Sequence, residues 1–368
     1  MNIRRYLRNL DWWLLGAVFG LVGIGLALIA SATNSSAAVD DRTWFVQRQA
    51  TFFAFNLFFV LLSLRFDYRL LQTIAKPLYI FNLVMLLAVM FVGQTMLGAQ
   101  RWIQIGPVSL QPSEFAKVII IITLAAYIAQ KVEYYDGITD YMPAIGLVLL
   151  PFILVLRQPD LGTSLVFVAI LFGMLLISGF KWRWVAYAMG VFALLTPLLW
   201  TVLHEYQRTR IRVFLDPELD PFGAGYHVIQ SKIAIGAGML FGKGWYLGSQ
   251  SQLNFLPENH TDFIFAVAGE EFGFIGAAVI LFLYGIIIWR GFTIALNAED
   301  DFGTLLAVGT TCMFAFHVLI NIGMTAGIMP VTGVPLPFLS YGVSSLTTNM
   351  MLIALLLNIR MQHIELQF

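Results

Sequence analysis

Asp262 follows Pro257-Glu258-Asn259-His260-Thr261 and immediately precedes a long apolar run, which puts a carboxylate at the water-facing end of a membrane helix. A carboxylate there can take a proton from a hydroxyl or ligate a divalent cation such as Mg or Mn. It can equally do no more than stabilise a first helical turn, where Asp is favoured. His260, two residues earlier, is the competing base. Glu270 and Glu271 lie roughly 12–14 Å further along the same helix at 1.5 Å per residue. Paired carboxylates inside a membrane helix are expensive and read as functional by default. At 100° per residue Glu270 is about 80° around from Asp262 and Glu271 about 180°. Glu270 is therefore expected to line the cavity beside Asp262, and Glu271 to pair with another helix.

Four further groups carry charge where packing does not ask for it. Glu114 and Lys117 stand at i,i+3 behind Pro112, and either neutralise each other or face a cavity. Arg101 and Trp102 place a cation and an amphipathic indole at an interface, although an interfacial Trp is ordinarily only an anchor. Asp160 sits in the turn Gln158-Pro159-Asp160. Arg208, Arg210 and Arg212 cluster in one segment, and guanidinium forks suit phosphate oxygens. Together they describe a cavity rimmed by carboxylates and arginines, suited to an anionic lipid-linked substrate.

The elements that must position these residues are membrane helices. The 368-residue chain is 59% hydrophobic and only 11% charged, against about 25% charged in soluble domains. Net charge is +0, which makes nucleic acid an unnatural partner. Ten apolar stretches approach the length needed to cross a core of about 30 Å. They run near 12–31, 45–64, 77–93, 113–130, 142–157, 161–179, 184–203, 262–289, 304–328 and 343–359. The fifth and sixth are parted only by Arg157-Gln158-Pro159-Asp160, so a single broken helix or a re-entrant turn is the alternative to two spans there.

Orientation follows from the basic residues. With the N-terminus inside, the inner short segments hold Arg4, Arg5, Arg8, Arg65, Arg69, Lys76, Lys131, Lys181, Arg183, Arg290 and Arg360. The outer ones hold only Arg42, Arg48, Arg101 and Arg157. Both termini are then cytoplasmic and the 204–261 loop faces outward. Arg4-Arg5 and an apolar stretch of about 18 residues read as an uncleaved first helix, because a signal h-region runs about 7–15. Within the loop Tyr226, Ile229, Ile233, Ala237 and Leu240 recur at helical spacing, which predicts an amphipathic interfacial helix. The glycine-rich run Gly236–Gly244 lacks the first glycine and the Ser or Thr of a phosphate loop. The one cysteine, Cys312, excludes an intramolecular disulfide and reads as packing.

Several segments together resemble the SEDS family (shape, elongation, division and sporulation), and its RodA branch more than its FtsW branch. They are GAQRWIQIG (98–106), QPSEFAK (111–117), QPDLGTS (158–164), YQRTR (206–210) and LDPELDPFGAGYHVIQSKIAIG (215–236). GSQSQLNFLPENHTDFIFAVAGEEFGFIG (248–276) and NIGMTAGIMPVTGVPLPFLSYGVSS (321–345) complete the set. One departure is Val343, where the family usually carries a second glycine after Tyr341-Gly342. The resemblance implies an all-α polytopic membrane protein of about ten helices in a single domain. It also implies a peptidoglycan glycosyltransferase that polymerises lipid II outside the bacterial inner membrane, with undecaprenyl-diphosphate-linked glycan as the growing strand. A class B penicillin-binding transpeptidase is the implied partner. The family's essential loop aspartate falls on Asp262, and its cavity-lining charged residues fall on Arg101, Glu114, Lys117, Asp160 and Arg210. Trp102, Arg208, His260, Glu270, Ser340 and Tyr341 complete the expected substrate-binding set. The alternatives are a lipid II flippase, which needs a polar route through the bilayer, and a non-catalytic scaffold for the transpeptidase.

Overall fold

The computed structural model describes residues 10–34, 43–96, 99–106, 108–131, 138–187, 190, 194, 196, 201, 205–221, 223–253 and 255–365. Its first helix sets the scale. α1 (Trp12–Ala32) has 21 residues, about 31 Å at 1.5 Å per residue, which matches a hydrocarbon core of about 30 Å. Asp11 caps it by accepting the Leu14 amide at 3.2 Å. Exposed Trp12 and Trp13 mark one membrane boundary. α2 (Trp44–Ser63) and α3 (Ala75–Val92) follow, then a small antiparallel meander of β1 (Gln94–Met96), β2 (Ala99–Ile105) and β3 (Val108–Leu110). α4 (Pro112–Ala129), α5 (Ile138–Arg157) and α6 (Leu161–Ile177) come next. α7 (Glu205–Leu215) and α8 (Ala224–Gly238) belong to the long loop, and α9 (Ile264–Leu296), α10 (Asp301–Thr325) and α11 (Val343–Glu365) close the chain.

Among the described residues eight helices, α1 to α5 and α9 to α11, are long and apolar enough to cross a membrane, and α6 is a shorter apolar helix. The chain is thus a multi-pass membrane protein. α5 and α6 are two helices, separated by the Gln158–Asp160 turn. Most of the seventh apolar stretch lies outside the described residues. The bundle adds one feature to the helical expectation, the meander between α3 and α4. Its strands are only 3, 7 and 3 residues long, too short for a clear two-residue alternation beside glycine and proline.

Burial divides the helices. α4, α10 and α11 are mostly enclosed, while α2, α3 and α5 turn most of their apolar surface outward, as lipid contact requires. α9 packs against α10, α1 and α8. It is not one continuous helix, because Gly273 has φ 65 and ψ −162. A break inside a membrane orphans backbone groups that must find partners in protein. The glycine-rich run after α8 supplies them. Phe274 and Ile275 donate to the carbonyls of Met239 and Leu240 at 2.8 and 3.2 Å, and Lys243 and Gly244 donate to those of Glu270 and Glu271 at 2.9 and 3.0 Å. Only glycine fits at this crossing. A Cβ on Gly238 would overlap the Gly269 carbonyl, and one on Gly242 (φ 79) the Glu271 carbonyl.

This crossing also turns α8. Its buried face is Gly225, Val228, Ser231, Ala234 and Gly238, with Gly238 against α9 and Ser231 bonded to α10, while Ile233 and Leu240 from the expected apolar stripe are exposed. The other three stripe residues, Tyr226, Ile229 and Ala237, are half-buried. Cys312 packs against Gly173.

Candidate active site

Asp262 ends a turn in which Thr261 and Phe263 both donate to the Glu258 carbonyl at 3.2 Å. Three successive carbonyls of that turn are then held from outside. The Tyr341 amide donates to His260 O at 2.9 Å, Ser340 Oγ donates to Thr261 O at 2.6 Å, and Asn321 Nδ2 donates to Asp262 O at 2.9 Å. The donors come from α10 and from the irregular segment 326–342 that returns the chain to α11. With its main chain so pinned, the half-buried Asp262 lines a cavity of about 450 Å³. Glu258 and His227 share that wall, together with Val213 and Phe214 of α7 and the Met329–Val331 segment. His227 stacks on Phe263 with centroids 5.9 Å apart and an 11° tilt. Gly333, at φ 71, closes the far side, where a Cβ would stand 3.3 Å from Asp262 Oδ2.

His260, the competing base, points elsewhere. Its ring sits between Phe45 (5.1 Å) and Tyr341 (5.9 Å), and its Nδ1 is 3.3 Å from Asn259 Oδ1. Burial pushes its pKa down, against a weaker upward pull from Glu258. Ser340, expected to bind substrate, is buried instead and its hydroxyl is fully used, accepting the Leu336 amide at 2.8 Å while donating to Thr261. Tyr341 likewise contributes its amide to the turn and its ring to Phe45 (5.0 Å). Burial pushes its phenol up, with Arg48 opposing.

The other expected charges fall into separate closed groups. Asp160 caps α6 through the Thr163 amide at 3.2 Å, and also receives Thr163 Oγ1 at 3.0 Å, Gln111 Nε2 at 3.2 Å and Ser113 Oγ at 3.4 Å. Arg101 on β2 lies 3.7 Å from Asp160 and donates to the carbonyls of Gln158 (2.9 Å) and Pro159. Trp102 is the next strand residue, so it turns to the opposite face of β2. Glu114 and Lys117 pair at 2.7 Å in almost complete burial, and His317 Nε2 is 3.3 Å from the same ammonium. Thr348 donates to the second Glu114 oxygen at 3.3 Å.

A further expectation needs correction. Glu270 does not line the Asp262 cavity. It is fully buried, pairs with Lys243 at 2.8 Å and accepts the Gln250 and Ser251 amides at 3.0 and 3.3 Å, tying the loop to the broken helix. Arg208 lies 3.6 Å from Glu205 and donates to the Thr201 carbonyl at 2.8 Å, both within its own segment. Glu271 bonds Ser31 of α1, the inter-helix pairing expected of it. The Arg210 side chain lies outside the described residues, although its helix position is one turn before cavity-lining Val213 and Phe214.

Glu258, His227 and Asn321 were not singled out from the sequence. For Asn321 a signal existed: His317 and Asn321 stand at i,i+4 on one face of an otherwise apolar helix. Among the described residues no three His, Cys, Asp or Glu side chains cluster as metal ligands. The cavity wall does offer two carboxylates, Asp262 and Glu258, and a hard cation can be held by one or two carboxylates with phosphate oxygens completing its shell.

Against known proteins, residues 11–365 match the family model of the cell cycle proteins FtsW, RodA and SpoVE. The chain belongs to that family. It is 43% identical over 324 residues to the peptidoglycan glycosyltransferase MrdB of Escherichia coli K12, covering 88% of this chain and 87% of that one. It is 39% identical over 345 residues to the stage V sporulation protein E of Bacillus subtilis 168, covering 92% and 93%. Among solved structures it superposes on a chain of a peptidoglycan synthase complex that coordinates polymerization and crosslinking. That match has TM-score 0.82 and 34% identity, over 96% of this chain and 98% of the other. The rod shape determining protein RodA of Thermus thermophilus matches with TM-score 0.71 and 30% identity, over 95% and 96%.

Proposed function

We propose that this protein is a RodA-like peptidoglycan glycosyltransferase that polymerises lipid II, with Asp262 as its general base. The observation that carries the site assignment is the pinned turn: three consecutive carbonyls are held while the Asp262 carboxylate lines the cavity. In this mechanism Asp262 removes the proton from the C4 hydroxyl of an acceptor GlcNAc. The freed oxygen attacks C1 of the growing strand's terminal sugar. The C1–O bond to undecaprenyl diphosphate breaks with inversion, and the diphosphate leaves carrying the electron pair.

Charge on that diphosphate must be met as the bond breaks. His227 is the basic side chain on the cavity wall, and Arg210 stands one turn from it along α7. A divalent cation would be held by Asp262 and Glu258 and would supply charge neutralisation when bound. The membrane is the bacterial inner membrane, with the Asp262 face toward the periplasm, as the basic-residue distribution argues. A class B penicillin-binding transpeptidase is the partner. The solved relative in a peptidoglycan synthase complex supports that choice.

Polymerisation of purified lipid II by the protein with its partner tests the assignment. Asp262→Asn should lose strand synthesis by roughly 10²-fold or more, the upper range for a general base being about 10⁴-fold, with partner binding intact. Normal strands from this variant would remove Asp262 from the base role, and an inactive His260→Ala alongside would transfer it. Loss of activity in chelator, restored by Mg or Mn, would support the cation.

A further inference from the structure

We infer that Asn321 is the residue that positions Asp262 for catalysis, acting from α10 through the main chain. Its amide nitrogen donates to Asp262 O at 2.9 Å and to Val334 O at 2.8 Å. One side chain thus fastens the turn carrying the carboxylate to the strand-like segment whose Gly333 faces that same carboxylate. Two carbonyl acceptors also fix which way the amide points, since only the nitrogen can donate.

Packing does not explain this residue. Asn321 is fully buried, and its Oδ1 finds no hydrogen-bond partner among the described residues. An unmet buried acceptor is costly, so filling space does not by itself account for an amide at this position. What an apolar side chain lacks is a pair of N–H donors. One turn earlier on the same face, His317 Nδ1 is 3.1 Å from Pro335 O, and its Nε2 meets the Lys117 ammonium at 3.3 Å. α10 therefore grips residues 334 and 335 and the catalytic turn as one unit. Sites mounted on a rigid helix hold geometry better than sites held by loops alone. The neighbouring Ser340 holds Thr261 in the same way from the other side.

This inference rests on Asp262 being the base, and the test separates the two. In lipid II polymerisation Asn321→Ala should lower kcat by roughly 10²-fold, the cost of displacing a reacting group by about 1 Å. KM should stay within about threefold. The pH profile of kcat should change shape, because Glu258 and His227 share the cavity and would then meet a displaced carboxylate. A smaller folded fraction would instead scale the whole profile uniformly. Ser340→Ala, which removes the adjacent contact, should show the same split in weaker form. The double variant should lose less than the product of the two, since both act on one turn. Wild-type kcat in a folded Asn321→Ala protein, a raised KM alone, or a uniform loss tracking the thermal midpoint would each overturn the inference. If Asp262→Asn is itself active, the base assignment fails. If that variant is dead and Asn321→Ala is normal, only the positioning role fails.

Discussion

At the residue scale, Asp262 ends a run of three successive held carbonyls, and its carboxylate lines the cavity. Asp160, Glu114, Glu270 and Glu271 each hold structure with their side-chain oxygens. Gly333 tests the space left for that carboxylate. At φ 71 any side chain is strained by about 1–3 kcal/mol, and a methyl would stand 3.3 Å from Oδ2. Gly333→Ala is expected to cut polymerisation at least tenfold, with less effect on the thermal midpoint than on rate. Activity at the wild-type level would mean the carboxylate does not work from the position seen here.

At the element scale, the break in α9 and the glycine run after α8 are one device. The break turns the chain between Asp262 and the long membrane span, and the run from Gly238 to Gly244 takes up the hydrogen bonds the break leaves open. Gly242→Ala combines a positive φ with overlap onto the Glu271 backbone carbonyl, which cannot give way as a flexible side chain could. We expect a loss of about 3 kcal/mol or more, read as a lower thermal midpoint in detergent and poor recovery of folded protein. Gly16→Ala is the control, since a Cβ there meets nothing within 4 Å. Equal behaviour of the two variants would remove the crossing from any structural role.

At the scale of the whole molecule, charge inside the bundle is closed off in pairs. Glu114 meets Lys117 and Glu270 meets Lys243, while Glu271 bonds the neutral Ser31 of α1, and the last two contacts join separate elements. At the face opposite Asp262, Asp11 joins Arg290 of α9 (2.8 Å) and Arg360 of α11 while capping α1. That single carboxylate binds the first helix to two near the other end of the chain. Removing one partner of a buried ion pair costs about 3–5 kcal/mol, and the arginines here are partly exposed, so Asp11→Ala should cost toward 2–3 kcal/mol. A thermal midpoint unchanged from wild type would show that packing alone joins these helices.

Much was legible in the sequence because the bilayer imposes it. Length and apolar content set the spans, Pro112 and Asp160 mark helix starts, and Asp262 stands out as a carboxylate before an apolar run. The i,i+3 spacing offers the Glu114–Lys117 pair as one of two readings, and the angle around the helix axis sends Glu271 toward another helix. Helical arithmetic misplaced Glu270, because angles around one axis say nothing about the loop that folds over it. It likewise left the inward face of α8 open, since the crossing of Gly238 with Gly269 selects small residues over apolar ones. The clasp on Asp262 joins residues 260–262 to 321 and to 340–341. Its hydrogen bonds run from a side-chain amide, a hydroxyl and a main-chain N–H to main-chain carbonyls. Every residue presents such a carbonyl, so only the tertiary arrangement could decide which carbonyls are held and which carboxylate lines the cavity.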